Sequence, residues 1–420
     1  MRKILCVVLC LVLASGCQMK PISSSYIAKP SNEEEIVNKT EINTEIGFEN
    51  DTMRAIWLSY IDLNFSGKTE AEFKSGIDTM FENVVELGLN TVICHVRANA
   101  DAAYKSEYFP LSLCYYGQDG NPPSYDPLAY MVKAAHERGL KIHAWFNPYR
   151  VAGKINKAAD LPNNIAKKWL TDNIKNNDYN VLPWGEGMYF NPAKEEVKDL
   201  IVNGVVEVVE NYDIDGVQFD DYFYPTSDEE FDKASYDGYC KTTDNPLPLD
   251  DWRRRNVNVM VKSVYNAIKK VKDIPFGISP AAAISSDKSD RNYTQIYADI
   301  YTWVENENYI DYIAPQLYFG YNYKVESFRF KNLLKNWYNL TKDRNVELYV
   351  GLAPYKIDTE DAESHEWQKD KKIIARQIED AQKIGADGFM LYSYNYVFSS
   401  STKHTAERNA MKEVLERLYG

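Results

Sequence analysis

From residue 53 onward, short runs of apolar and aromatic residues alternate with longer stretches whose apolar positions recur every three or four residues. The short runs predict strands at 53–60 (MRAIWLSY), 91–96 (TVICHV), 141–146 (KIHAWF), 215–223 (DGVQFDDYF), 275–280 (PFGISP), 311–318 (DYIAPQLY), 347–355 (ELYVGLAPY) and 388–394 (GFMLYSY). A helical stretch follows each, from EAEFKSGIDTMFENVVELG after the first to TAERNAMKEVLERLYG after the last, with YTQIYADIYTWVEN as the fifth. Glycine falls where helices should stop, in ELGLN, ERGLK and KIGADG. Strict strand–helix alternation requires a crossover after every strand, so the sheet is parallel and the class is α/β. An open doubly wound sheet is the competing architecture, but no Gly-rich loop follows the first strand to form its nucleotide crevice. The expected fold is a single-domain (β/α)8 TIM barrel.

Such a barrel carries its site at the C-terminal ends of the strands. Those ends read SYIDLN, HVRANADAAY, WFNPYRV, FDDYFYP, ISPAAA, PQLYFGY, LAPYK and YSYNY. All but the Ala-rich fifth are dense in polar and aromatic groups, whereas the opposite ends carry plain connectors such as GLN, GLK and GADG. Long loops follow strands three and four. Residues 147–212 hold Trp169, Trp184 and Glu186 besides the helix leading into strand four, and residues 222–250 are rich in Tyr and Asp.

In strand four, alternation turns Val217 and Phe219 toward the helices and Gln218, Asp220 and Tyr222 toward the axis; Asp221 points away or turns into the loop. A carboxyl drawn out of water at the barrel top gains a raised pKa suited to donating a proton near neutrality. The competing role for Asp220 is an ion pair with Arg97 that ties the barrel top together. Glycoside cleavage usually employs two carboxylates. Asp220 and Asp221 are the catalytic candidates; Asp62 and Asp101 are the other strand-end acids, and Glu186 or Glu363 could reach in from loops. That scarcity suggests two routes using one acid: attack by the substrate's own acetamido group, or by its 6-hydroxyl to leave a 1,6-anhydro sugar.

Arg97 and Arg150 suit an anionic substituent such as a lactyl carboxylate. Asn147, Tyr149, Tyr222, Gln316, Tyr318 and Tyr355 offer uncharged hydrogen bonds and ring faces; each alone fits a packing role equally well, and their shared position at strand ends favours substrate contact. His95 and His143 could join Asp220 around a metal, as in a deacetylase. Both lie one alternation below the strand tips, where a satisfied core histidine is expected, so no metal or cofactor is expected.

Composition adds setting. The 32 Tyr and 8 Trp fit a sugar cleft or the rims of a large fold equally. A net charge of −13 excludes a nucleic-acid partner, which would need a basic surface. The opening MRKILCVVLCLVLASGCQMK has a basic start, an apolar stretch too short to span a bilayer, and LASGC, which is similar to a bacterial lipobox. The expected organisation is therefore a signal peptide at 1–16, a polar tether from lipidated Cys17 to residue 50, and the barrel at 51–420. Loss of Arg2 and Lys3 takes the net charge from −13 to −15. Cys94, Cys114 and Cys240 remain in the body without CxxC spacing, which gives neither a zinc site nor a disulfide framework.

VRANADAAYKSEYFPLS, YDPLAYMVKAAHERGLKIHAWFNPYRV, YFNPAKEEVKDLIVNGVVEVVENYDIDGVQFDDYFYP, DWRRRNVNVMV and IDYIAPQLYFGY together resemble the glycosyl hydrolase-like 10 family, over residues 53–396. The resemblance implies a TIM barrel, a bacterial surface lipoprotein, and action on polysaccharide, with peptidoglycan strands foremost and lytic transglycosylases among its members. It supports Asp220 and Asp221 as a site without assigning their roles. Ala98 and Ala100 depart from the Pro and Gly that relatives commonly carry in the loop after strand two. DGVQFDD is also similar to the DxxDxDxE strand of chitinase-type barrels, but Gln218 and Tyr222 stand where that pattern needs acids. The expected protein is an extracytoplasmic, membrane-anchored glycosidase acting on an amino-sugar polymer. A catalytically inactive sugar-binding lipoprotein is the competing class.

Overall fold

Strands β1 (Met53–Leu58), β2 (Thr91–Arg97) and β3 (Lys141–Phe146) are followed by a small insertion of β4 (Arg150–Ala152), β5 (Val181–Trp184) and β6 (Gly187–Phe190). The remaining strands are β7 (Gly216–Phe219), β8 (Phe276–Ile278), β9 (Tyr312–Ile313), β10 (Glu347–Leu352) and β11 (Gly388–Tyr392). In this computed structural model, which describes residues 52–153, 163–360 and 365–420, eight of them close a barrel in the order β1-β11-β10-β9-β8-β7-β3-β2. Every pairing around it is parallel. All eight sequence-predicted strands are present, and the fold is the expected (β/α)8 TIM barrel. The segments expected to form a signal peptide and a tether, with Cys17, lie outside the described residues.

Alternation along the strands separates two cores. Ile56, Leu58, Val92, Phe146, Val217, Phe219 and Ile278 face outward into a continuous apolar layer beneath the helices. Ala55, Trp57, Ile93, Trp145, Tyr312, Tyr349 and Met390 fill the barrel interior. Two glycines make room for the rings inside. A Cβ on Gly277 would lie 2.1 Å from the Tyr312 ring, and one on Gly216 would lie 2.5 Å from His143. His143 Nδ1 and the Tyr312 hydroxyl then meet at 3.2 Å, which satisfies a polar pair deep in the barrel.

The fifth helix departs from expectation. It is two short pieces, Arg291–Thr294 and Ile300–Glu305, because Tyr297 takes a left-handed φ of 56° between them and Asp299 caps the second piece by accepting from Thr302 N. The insertion after β3 forms a three-stranded antiparallel sheet in the order β4-β6-β5. The loop after β7 contains a helix at Lys233–Cys240 and is held down by the buried Arg253–Asp232 pair at 2.5 Å.

Candidate active site

β7 ends at Phe219, so Asp220 is the first residue beyond it, at the barrel mouth. The residue is 4% exposed. Oδ2 accepts from Trp145 Nε1 at 3.2 Å and from Asn147 Nδ2 at 3.3 Å, and Oδ1 accepts from the Tyr222 backbone N–H at 3.2 Å. All three donors are neutral. Burial, reinforced by the neighbouring Asp221 charge, pushes the Asp220 pKa up to about 7, with Arg150 and the hydrogen bonds opposing. A carboxyl of that kind exists in both protonation states near neutrality, as proton transfer requires.

Asp221 does not point away from the mouth. With the strand over, alternation no longer governs it; its carboxylate faces Arg291 at 3.9 Å, interacts with Gln316, and lies within the field of Arg150. Its pKa is raised, burial being the main cause. Arg150 spans the opening. Its Nε donates to Ala98 O at 2.9 Å, its N–H to Asn147 Oδ1 at 3.0 Å, and its guanidinium lies over the Tyr60 and Tyr222 rings at 5.7 and 5.0 Å. Gln316 donates to Ser279 O at 3.1 Å, bridging the ends of two strands. Tyr318, Tyr355 and Tyr392 form a ring cluster with centroids 5.6–6.0 Å apart. Tyr396 adds to its edge.

Asp220, Asp221, Asn147, Arg150, Tyr222, Gln316, Tyr318 and Tyr355 thus occupy one mouth. Four other sequence candidates are placed differently. Regular alternation with His95 would turn Arg97 to the axis, but a register shift after His95 sets it opposite Phe146. There it is 1% exposed, lies over Phe109 and Phe146 of the outer core, and donates to Pro148 O at 3.1 Å; burial lowers its pKa to about 10. No ion pair joins it to Asp220 among the described residues. Tyr149 is 1% exposed and belongs to the outer core rather than the cleft. Asp62 is a clasp: it accepts from Ser59 N and Oγ at 2.8 and 2.6 Å, from Ser393 Oγ at 3.2 Å and from Asn395 N at 2.9 Å, joining the ends of β1 and β11. Asp101 is buried, with hydrogen bonds to Ser112 and the Asn99 backbone.

His95 and His143 do not converge on Asp220. His95 stacks on Trp145 with centroids 3.7 Å apart, and His143 is bonded to Tyr312. No group of three His, Cys, Asp or Glu side chains suited to a metal occurs among the described residues. Glu186 is exposed at the turn between β5 and β6, and Glu363 lies outside the described residues. Two cavities of about 580 and 610 Å³ lie elsewhere, and their linings include ion pairs such as Lys198–Glu195 in the first and Arg376–Asp370 in the second. Sequence reasoning missed Trp145, Tyr60, Tyr392 and Tyr396. Trp145 carries the clearest signal, since it alternates with Asn147 on the inward face of its strand.

The profile of the Glycosyl hydrolase-like 10 family matches residues 52–369. Glycosyl hydrolase YngK of Bacillus subtilis is 38% identical over 73% of this chain and 61% of its own length, so the match spans about three-fifths of that relative. Glycosyl hydrolase DigH of Escherichia coli K12 is 34% identical over 73% of this chain and 74% of its own. Among solved structures, the PgaB (BpsB) glycoside hydrolase domain of Bordetella bronchiseptica is similar with a TM-score of 0.54 at 11% identity, covering 86% of this chain and 98% of that one. At that identity the likeness shows the barrel fold. The chain belongs to the Glycosyl hydrolase-like 10 family.

Proposed function

We propose that this member of the Glycosyl hydrolase-like 10 family is a membrane-anchored glycosidase that cleaves an amino-sugar polysaccharide, foremost the glycan strands of peptidoglycan, with Asp220 as proton donor to the leaving oxygen. The observation that carries the reading is the Asp220 carboxyl itself. It is buried at the open end of the barrel, held by neutral donors, and pushed up to about 7. Three neutral donors orient it, and no ion pair among the described residues fixes it as a carboxylate.

The mouth also fits a sugar chain. The rings of Tyr60, Tyr222, Tyr318, Tyr355, Tyr392 and Tyr396 offer faces and hydroxyls to pyranose units. Arg150 is held through Nε, which leaves its terminal nitrogens to pair with a lactyl carboxylate and favours muramic residues over neutral ones. Relatives described as glycosyl hydrolases agree with bond cleavage. The anchor is the LASGC sequence: lipid on Cys17 and a polar tether to residue 50 keep the barrel near the wall, outside the cytoplasm.

The test is to incubate the mature protein and its Asp220→Asn variant with purified peptide-free strands, and to weigh the products. Fragments from the wild type alone support the reading; fragments carrying an added water report hydrolysis, and fragments lacking it report closure by the 6-hydroxyl. Binding of strands by both proteins, without cleavage by either, favours a sugar-binding lipoprotein instead. Release of the protein from membranes on Cys17→Ser checks the anchor.

A further inference from the structure

We infer that the substrate supplies its own nucleophile, the 2-acetamido group of the sugar being cleaved, and that Asp221 holds that group in place. This deepens the proposed function and rests on it. A cleavage by two protein carboxylates needs a second acid facing the first across the sugar. The strand-end acids do not provide one: all four donors on Asp62 come from its own loop and from residues 393 and 395, and Asp101 is buried beside Ser112. Strands β8 to β11 end without an acid of their own. Among the described residues, what remains at the mouth is Asp221, directly beside Asp220 in the chain.

Consecutive residues cannot stand on opposite faces of one pyranose ring, but they can reach two groups on adjacent ring carbons. The glycosidic oxygen on C1 and the acetamido nitrogen on C2 are such a pair. The 6-hydroxyl lies beyond the ring oxygen, on the far side of C1. Asp221 is also placed for a ligand rather than for packing: its side chain is 15% exposed, its cation Arg291 stands off at 3.9 Å, and Gln316 and Tyr318 flank it.

The chemistry closes with these groups alone. Asp220 gives its proton to the glycosidic oxygen, and the C1–O bond breaks as the acetamido carbonyl oxygen bonds to C1. Asp221 accepts a hydrogen bond from the acetamido N–H and stabilises the positive charge of the resulting oxazolinium ring. Water then enters at C1, delivering its proton to the Asp220 carboxylate, and the ring opens to restore the acetamido group. Two displacements leave the anomeric configuration unchanged.

The experiment compares N-acetylated strands with the same strands after chemical de-N-acetylation, using the wild type and Asp221→Asn. The inference expects cleavage of the N-acetylated strands with retained configuration, loss of cleavage by 100-fold or more without the acetyl group, and a similar fall in kcat for Asp221→Asn with little change in KM. Should Asp221→Asn fail to fold, binding of the thiazoline analogue of N-acetylglucosamine to the wild type serves instead, and it should exceed binding of N-acetylglucosamine by at least 100-fold. Undiminished cleavage of de-N-acetylated strands, or an inverted anomer, overturns the inference and leaves the glycosidase reading standing. No cleavage of either strand overturns both.

Discussion

Asp220 and Glu407 are both buried carboxyls pushed up to about 7, and burial is the first cause in each. They sit in different company. Glu407, in the C-terminal helix Thr402–Tyr419, accepts from the backbone N–H groups of Ile373 at 3.0 Å and Ala375 at 2.9 Å, capping the helix Ile373–Ile384, which has no side-chain cap of its own. Asp220 holds no helix end; two side-chain donors orient it at a mouth ringed by tyrosines. A raised pKa therefore marks withdrawal from water, and only the surroundings separate a fastener from a working acid.

The strongest way to separate them is substitution. Asp220→Asn should lower strand cleavage by about 10²- to 10⁴-fold, the usual worth of a general acid, while the protein folds and melts no lower than the wild type. Glu407→Gln should leave cleavage rates unchanged. An equal loss of activity in both would erase the distinction.

The pH dependence sharpens it further. Each folded pKa is raised above its unfolded value near 4, so between about 4 and about 7 the folded state holds protons that the unfolded chain has released. Stability then falls as pH rises through that window and levels off above it, on the order of a few kcal/mol for each group. Denaturant titrations across pH should show this slope, and Asp220→Asn and Glu407→Gln should each flatten part of it. Only Asp220 should appear in the activity profile, as a decline in kcat/KM above about pH 7 that Glu407→Gln leaves in place.

Smaller effects follow. Glu407→Ala leaves two buried N–H groups without acceptors and should cost about 1–3 kcal/mol of stability, read as a lower urea midpoint. Tyr222→Ala removes a ring face but keeps the backbone N–H to Asp220; KM should rise about threefold to tenfold, as for loss of one aromatic contact, with the pH profile unmoved.

The barrel was legible because parallel strands buried on both faces appear as separate apolar runs, and each return helix keeps its own period. Asp220 was legible for the same reason, being one alternation beyond Gln218. The reading failed where backbone regularity failed. A register shift turned Arg97 into the outer core and a left-handed Tyr297 split the fifth helix; of the two orientations left open for Asp221, the end of β7 at Phe219 gives the turn into the loops, toward Arg291. Asp62 misled for a chemical reason: Ser59, three residues earlier, gives it a local partner, and a Ser-x-x-Asp turn is a more economical use for that acid than a sugar. The tyrosines at positions 60, 392 and 396 stood in strand-end segments already rich in rings, where no single one was distinguished by pattern.

The most direct test of Asp220 as proton donor is a change of leaving group. The rates of wild type and Asp220→Asn are measured on glycan strands and on a dinitrophenyl glycoside of N-acetylglucosamine, whose leaving group departs without a proton. The account predicts that the variant loses strand cleavage yet keeps most of the wild-type rate on the activated glycoside. Equal losses on both substrates, or none on either, would contradict it.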